Sequence, residues 1–217
     1  SGLSEQDVAF QRALVFLQRC QMLEKTPDGK TVNDMPYAKG SHQGGFVYAT
    51  AENKDTAGKG QTQSNEISET LTDGTNANRL RCYGSMTYSG LKSYLYAGLK
   101  KDDPRVQAAV QWIGAHRDLS GNPGNYDGKD EKAKFHGQYY GYLLLAQALD
   151  AAKLDEVQTR GDGGKPVAVA WRPALKKQLE SLQQQDGSWV NQQSDRWFEN
   201  VPLLCTSYAL VALELCR

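Results

Sequence analysis

The chain lacks an excess of charge of either sign. Its 217 residues include 25 Lys and Arg against 25 Asp and Glu, so the formal net charge is zero. Nucleic acids and anionic membrane surfaces bind proteins mainly through an excess of basic side chains. The balanced composition therefore predicts neither kind of partner.

Long apolar runs are also missing. No stretch approaches the ~20 apolar residues that a membrane-spanning helix needs, so we expect no membrane span. The opening residues, Ser1-Gly2-Leu3-Ser4, contain no basic segment that leads into an apolar one. Any export signal has therefore been removed or never existed, and the location of the protein stays open, with export as one option.

Cysteine and histidine are scarce, and their spacing does not suit a metal. The four cysteines form no CxxC pair of the kind that holds zinc or performs redox chemistry. His136 has no Cys or Asp at ligand spacing beside it, whereas zinc needs three or four convergent groups. We therefore expect no metal and no cofactor.

What the sequence has is a helical pattern that occurs three times. Each unit contains an amphipathic helix, a polar turn rich in glycine, and a helix that is apolar or small on nearly every side. Apolar residues recur at helical spacing in the amphipathic members, at Phe10, Ala13, Leu14 and Leu17, at Val106, Ala109, Val110 and Ile113, and at Leu175, Leu179 and Leu182. The partner helices over 139–151 and 201–216 are apolar on every side and must be shielded on every side, and the one over 85–99 has a stripe of small residues that lets a neighbouring helix approach closely.

This alternation predicts an all-α fold in which outer amphipathic helices cover inner apolar ones in a curved double layer. We expect one domain over 1–217, with helical hairpins at about 4–99, 103–151 and 171–216. The region at about 50–80 is polar and is predicted to be an insertion, mobile or with only short local structure. Ser4 with Asp7, and Asp103 before Pro104, are typical helix starts.

Two cysteines are placed at the same end of the first hairpin. Cys20 ends the outer helix, and Cys82 precedes the inner one. A disulfide between them is one hypothesis, and two buried free thiols are the other. A bridge that closes so long a loop would add roughly 4 kcal/mol of stability, but only in an oxidising compartment.

One segment carries a resemblance to a known family. Residues 179–189 read Leu-x3-Gln-x3-Gly-x-Trp, which resembles the repeat signature of the squalene cyclase and prenyltransferase superfamily. Phe16-Leu17-x3-Gln21, with Gly45-Phe46 further on, is similar to the same signature. Segments 84–92 and 102–106 look like parts of bacterial proteins that carry prenyltransferase and squalene oxidase repeats. The resemblance implies an α/α toroid, of which three hairpins would form about half of a six-hairpin ring.

The marks of the family's known activities are absent. No Asp-x-Asp-Asp motif of the cyclases is present, and the nearest match, Asp102-Asp103, suits a helix cap. Where the prenyltransferases would place a zinc-binding histidine, the chain reads Tyr139-Tyr140-Gly141-Tyr142. Cys20-Gln21 lacks the glycine-rich turn of the thioester relatives. The resemblance therefore implies a scaffold and leaves the reaction open.

Aromatic residues concentrate at the predicted inner helices and at their entry turns. In a toroid these helix starts surround the mouth of the central cavity, where rings with polar tips suit sugars, isoprenoids or a peptide. The candidate ligand-binding residues are Tyr88, Tyr139, Tyr140, Tyr142, Asp195, Trp197 and Glu199. Packing between helices is the alternative for any single tyrosine, and a capping, salt-bridging turn is the alternative for 195–199.

Three classes of function remain open. The first is a binding protein that holds a small molecule or a segment of an oligomeric ligand. The second is an enzyme on the same cavity, either an isoprenoid cyclase or transferase, or a polysaccharide lyase or hydrolase that uses Asp195 or Glu199 with a tyrosine. The third is an interaction module in which two half rings self-associate.

Overall fold

The computed structural model describes residues 7–50, 66–126 and 130–217. Two α-helices lie in each of the three predicted hairpin ranges. They are α1 (Val8–Cys20) and α2 (Gly84–Tyr96), α3 (Pro104–Ala115) and α4 (Gln138–Ala151), and α5 (Trp171–Leu182) and α6 (Pro202–Glu214). Helix α4 packs against both α2 and α6, so it occupies the middle of the inner layer.

The prediction of an all-α fold is wrong, because the structure also contains two β-hairpins. Strand β1 (Glu66–Thr70) pairs antiparallel with β2 (Asn76–Leu80), and β3 (Glu156–Arg160) pairs antiparallel with β4 (Pro166–Ala170). In the second hairpin, Val157 is buried opposite Val169, and two glycines in the connecting turn adopt positive φ. Such a glycine turn between alternating apolar residues favours a hairpin. The fold is therefore mixed helix and strand.

The first hairpin lies within the predicted insertion at about 50–80. Its position is fixed by Glu69, whose carboxylate accepts hydrogen bonds from the backbone and hydroxyl of Ser41 and from Nε of Arg79 at 2.9 Å. Arg79 itself is buried. A polar segment can thus form ordered structure, because a largely shielded ion pair replaces the missing apolar contacts.

The second hairpin is held against α3 through a glycine. A Cβ atom built on Gly114 would lie only 1.9 Å from the carbonyl oxygen of Gln158 in β3. Any residue with a side chain at position 114 would keep β3 from approaching α3 this closely. The absence of a side chain at one position of α3 therefore decides where the hairpin docks.

Helix starts follow their sequence signals only in part. Asp103 caps α3 through a hydrogen bond from the backbone N–H of Arg105, and Pro104 occupies the first turn, as predicted. Helix α1 begins at Val8, with Asp7 as its cap accepting from Ala9 N–H. Ser4, the expected cap, lies outside the described residues.

The apolar helix α6 is not shielded on every side, contrary to the prediction. Cys205, Ala209 and Ala212 face the core, whereas Leu203 is 78% exposed and Leu210 is 56% exposed. One apolar face of this helix therefore contacts solvent.

Gln21, the glutamine of the first repeat-like segment, lies in the core. Its Nε2 donates to the carbonyl oxygens of Gly44 and Arg105, and its Oε1 accepts from the Tyr94 hydroxyl at 3.0 Å. One side chain thus joins the end of α1 to a loop, to α2 and to the start of α3. In the third repeat the tryptophan is the buried member, and Trp189 Nε1 donates to the carbonyl oxygen of Leu179 at 2.8 Å.

The suggested disulfide does not form in the structure. Val47 bonds through its N–H to the carbonyl oxygen of Cys20 on one side and pairs with Cys82 on the other. The two cysteines are therefore about two strand spacings apart, ~10 Å between Cα atoms, which exceeds the reach of a disulfide. All four cysteines, including Cys205 and Cys216, are buried free thiols.

Candidate functional site

A cavity of about 290 Å³ opens where the inner helices begin. The starts of α2 and α4, the turn before α6, and the loops that carry Tyr48 and Asn125 surround it. Five aromatic side chains line it: Tyr48, Tyr83, Tyr140, Trp197 and Tyr208. Its size is at the lower end of the range for small-molecule sites, ~300–1,000 Å³. We call it the aromatic cavity.

The structure brings three of the seven predicted ligand-binding residues to this cavity, namely Tyr140, Trp197 and Glu199. Tyr139 and Tyr142 are buried on another face of α4, where their rings pack edge to face with centroids 5.8 Å apart. Tyr88 is buried on the other side of α2, next to α3. These three tyrosines therefore pack in the protein interior, which was the alternative to a role in ligand binding.

Asp195 is exposed and lies outside the aromatic cavity. It lines a neighbouring open cleft of about 880 Å³, which we call the polar cleft. His136 lines both spaces and stands at their junction. Burial and the guanidinium groups of Arg196 and Arg81 lower the pKa of His136, so its imidazole is neutral at neutral pH.

Two asparagines form a polar wall of the cavity. Asn122 accepts a hydrogen bond from Ser85 N–H and donates to the Ser85 hydroxyl and to the carbonyl oxygen of His136. Asn125 donates to the same His136 carbonyl, at 3.1 Å. Its own Oδ1 is buried and accepts no hydrogen bond from the part of the chain that is described. This oxygen is also closed off from water, so it presents no free acceptor at the surface of the cavity.

Glu199 is fully buried, and both of its carboxylate oxygens are engaged. Oε1 accepts from the backbone N–H of Tyr140 at 2.9 Å, and Oε2 accepts from Asn191 Nδ2 at 2.8 Å. The first residue before α4 is Gly137, which has no side chain to cap the helix. Glu199 caps α4 from a distant segment, while its burial raises its pKa.

The backbone beside Glu199 is strained. Trp197 and Phe198 have φ values of 64° and 63°, in the left-handed region that residues other than glycine rarely adopt. Each such residue costs about 1–2 kcal/mol. The two aromatic side chains are nevertheless 51% and 75% exposed, so this strain does not bury them. The strained backbone holds Trp197 at the rim of the cavity, where the centroid of its ring lies 5.0 Å from the guanidinium carbon of Arg196.

Tyr48, Asn122 and Asn125 are among the lining residues that sequence reasoning missed. All three lie in loops, where side-chain direction follows no period. The Asn-Pro-Gly-Asn run at 122–125 is a signal for a turn, but it does not show that both amides face a cavity. Tyr83 and Tyr208 belong to the aromatic enrichment at the inner helices.

No protein-family model, curated protein or solved structure matches this chain. Over the described residues, no three His, Cys, Asp or Glu side chains come together as a metal site would require. Within the same ranges, every helix is too short or too polar to cross a bilayer. Function therefore has to be argued from the cavity.

Proposed function

We propose that this chain is a binding protein that holds a small molecule, or one unit of a longer ligand, in the aromatic cavity. The main support is Trp197, a half-exposed indole kept at the cavity rim by a strained backbone. Strain of this kind persists where surrounding structure imposes it, and it clusters at ligand-binding sites. Membership of the squalene-cyclase-like repeat proteins, without their catalytic motifs, is part of the same proposal.

The chemistry of the site favours binding over the enzyme alternative. A carboxylate that acts as acid or base needs an oxygen that can reach the substrate. Both oxygens of Glu199 are used to cap α4 and to bond Asn191, and Asp195 lies in the polar cleft. Burial raises the pKa of Tyr83, which weakens it as a proton donor.

Replacing Trp197 with glycine tests the proposal. We expect the affinity for a cavity ligand to fall at least tenfold, because loss of a tryptophan that contacts the ligand commonly costs ~2 kcal/mol or more. The melting temperature should stay the same or rise, since glycine adopts the left-handed conformation without strain. A mixed set of sugars, isoprenoid alcohols and short peptides would be screened by ligand-observed NMR, and the hits titrated into both proteins.

Phe198→Gly is the matched control. Phe198 has the same backbone conformation and neighbours Trp197, but it does not line the aromatic cavity. Its replacement should relieve similar strain and leave ligand affinity unchanged. Equal losses of affinity in the two variants, or unfolding of Trp197→Gly, would contradict the proposed role of the indole.

Self-association is a second candidate function, and the exposed face of α6 favours it. Leu203, Leu210 and Val211 are exposed on one side of α6, and exposed large apolar residues grouped in this way are typical of interaction sites. The partner would be a second copy of the chain, joined through the same face.

Lysine substitutions on this side of α6 should separate the copies. For the double variant Leu203→Lys and Leu210→Lys, we expect a monomer in sedimentation velocity over the micromolar range where the unmodified chain dimerises. The melting temperature of the isolated monomer should change little, because both side chains are already exposed. Val167→Lys, on the exposed side of β4, is the control and should not alter the dimer. An unmodified chain that stays monomeric would remove this candidate.

A further inference from the structure

We propose that the aromatic cavity and the polar cleft form one continuous groove for an uncharged carbohydrate chain. This inference rests on the proposed binding function and names its ligand class. His136 lines both spaces, so a ligand seated in the cavity can pass its next unit into the cleft beside the imidazole.

The cavity combines two features that together suit a sugar ring. Its aromatic side chains offer flat apolar surfaces, on which the C–H face of a sugar can stack. Four of its five aromatic residues are tyrosines, whose hydroxyl groups can donate to and accept from the hydroxyls of a sugar. A hydrocarbon chain offers these polar groups no partner. The cavity thus disfavours an isoprenoid.

The polar cleft is suited to further units of the same ligand. Exposed amide side chains supply both donors and acceptors there, at Gln192, Gln193 and Asn200. Two cationic side chains, Lys132 and Arg196, are matched by two carboxylates, Asp130 and Asp195. Because the signs are balanced, the cleft has no preference for a polyanion such as an acidic polysaccharide or a nucleic acid.

A peptide is less well matched to this groove. Extended peptides commonly bind by adding a strand to an open sheet edge. The residues that line the cavity and the cleft belong to helices and loops, and none lies in β1, β2, β3 or β4. Along the described lining of the groove, no strand edge is therefore offered to an extended peptide.

The test is a length series of neutral sugars. Glucose, xylose, mannose and galactose, with their homo-oligosaccharides of two and four units, would be titrated calorimetrically, with farnesol and a neutral tetrapeptide as competing probes. For one sugar, we expect the tetrasaccharide to bind at least about tenfold more tightly than the monosaccharide, since several hydrogen bonds are added in the cleft.

Two variants separate the two ends of the groove. Gln193→Ala, in the cleft, should lower the affinity for the tetrasaccharide about fivefold and leave the affinity for the monosaccharide unchanged. Trp197→Gly should lower the affinity for both sugars. Gln185→Ala is the matched control, because this exposed glutamine lies in the same polar stretch and lines neither space. An unchanged tetrasaccharide affinity in Gln193→Ala would overturn the continuous groove.

The results with the competing probes distinguish the proposed binding function from the proposed carbohydrate ligand. Binding of farnesol or the tetrapeptide that depends on Trp197, with no binding of any sugar, overturns the carbohydrate inference and supports the proposed function. Absence of Trp197-dependent binding for every probe overturns both.

Discussion

Replacing Glu199 with alanine is expected to lower the free energy of unfolding by about 3 kcal/mol. The substitution removes the cap of α4. The part-buried Tyr140 N–H and one hydrogen of Asn191 Nδ2 lose their acceptor, whereas the other hydrogen of Nδ2 keeps the carbonyl oxygen of Phe135. Together with the lost helix cap, this accounts for the expected change. Urea unfolding followed by circular dichroism measures it.

Two further variants determine whether the carboxylate acts as a cap. Glu199→Gln keeps an acceptor for Tyr140 N–H but can turn a donor toward Asn191, so we expect a smaller loss of about 1 kcal/mol. Asp195 lies in the same turn and is exposed, so Asp195→Ala should change the free energy of unfolding by less than about 0.5 kcal/mol. A Glu199→Ala protein as stable as the unmodified chain would show that α4 does not depend on this residue. It would also restore Glu199 as a candidate acid or base.

Replacing Gln21 with leucine is expected to destabilise the fold by about 4 kcal/mol. Leucine has a similar volume and fills the site, but it cannot bond the two carbonyl oxygens or the Tyr94 hydroxyl that Gln21 satisfies. Each polar group left unpaired in the core costs about 1–3 kcal/mol. The measurement is again urea unfolding. The slope of the unfolding free energy against urea concentration should be the same in both proteins, which would confirm that the same transition is compared.

Gln183→Leu is the control that the repeat pattern supplies. Gln183 occupies the matching place in the third repeat-like segment, yet it is exposed, and its side chain bonds the carbonyl oxygen of Gly187 within its own turn. Its replacement should cost at most about 1 kcal/mol. Equal losses at Gln21 and Gln183 would mean that both act locally, and that the link between α1, α2 and α3 contributes little.

These paired variants show why a repeat pattern has limited power to assign roles. The sequence places Gln21 and Gln183 at equivalent positions, because each follows the last apolar residues of an outer helix. Only Gln21 is covered by other segments, from the loop at Gly44 and the start of α3. Burial is a property of the surroundings, and no local pattern contains it.

The tyrosines of α4 make the same point about the site. Aromatic enrichment predicts that residues 139–142 lie near a cavity, and Tyr140 does line it. Tyr139 and Tyr142 are three residues apart and share one face of the helix, which packs in the core. A rotation of about 100° between neighbouring residues separates the ring at the cavity from the rings inside the protein.

The sequence alone determined where helices form, because apolar residues at helical spacing and the Asp103-Pro104 start act within a few residues of one another. It did not determine the two hairpins, since strands of five residues carry too weak a pattern to compete with the helical one. Only the tertiary structure decided that Glu199 caps α4, that Asn122 and Asn125 line the cavity, and that one face of α6 meets solvent. Each of these depends on which distant segments come into contact, and hydrogen-bond partners and burial are set by those contacts and not by the spacing of residues along the chain.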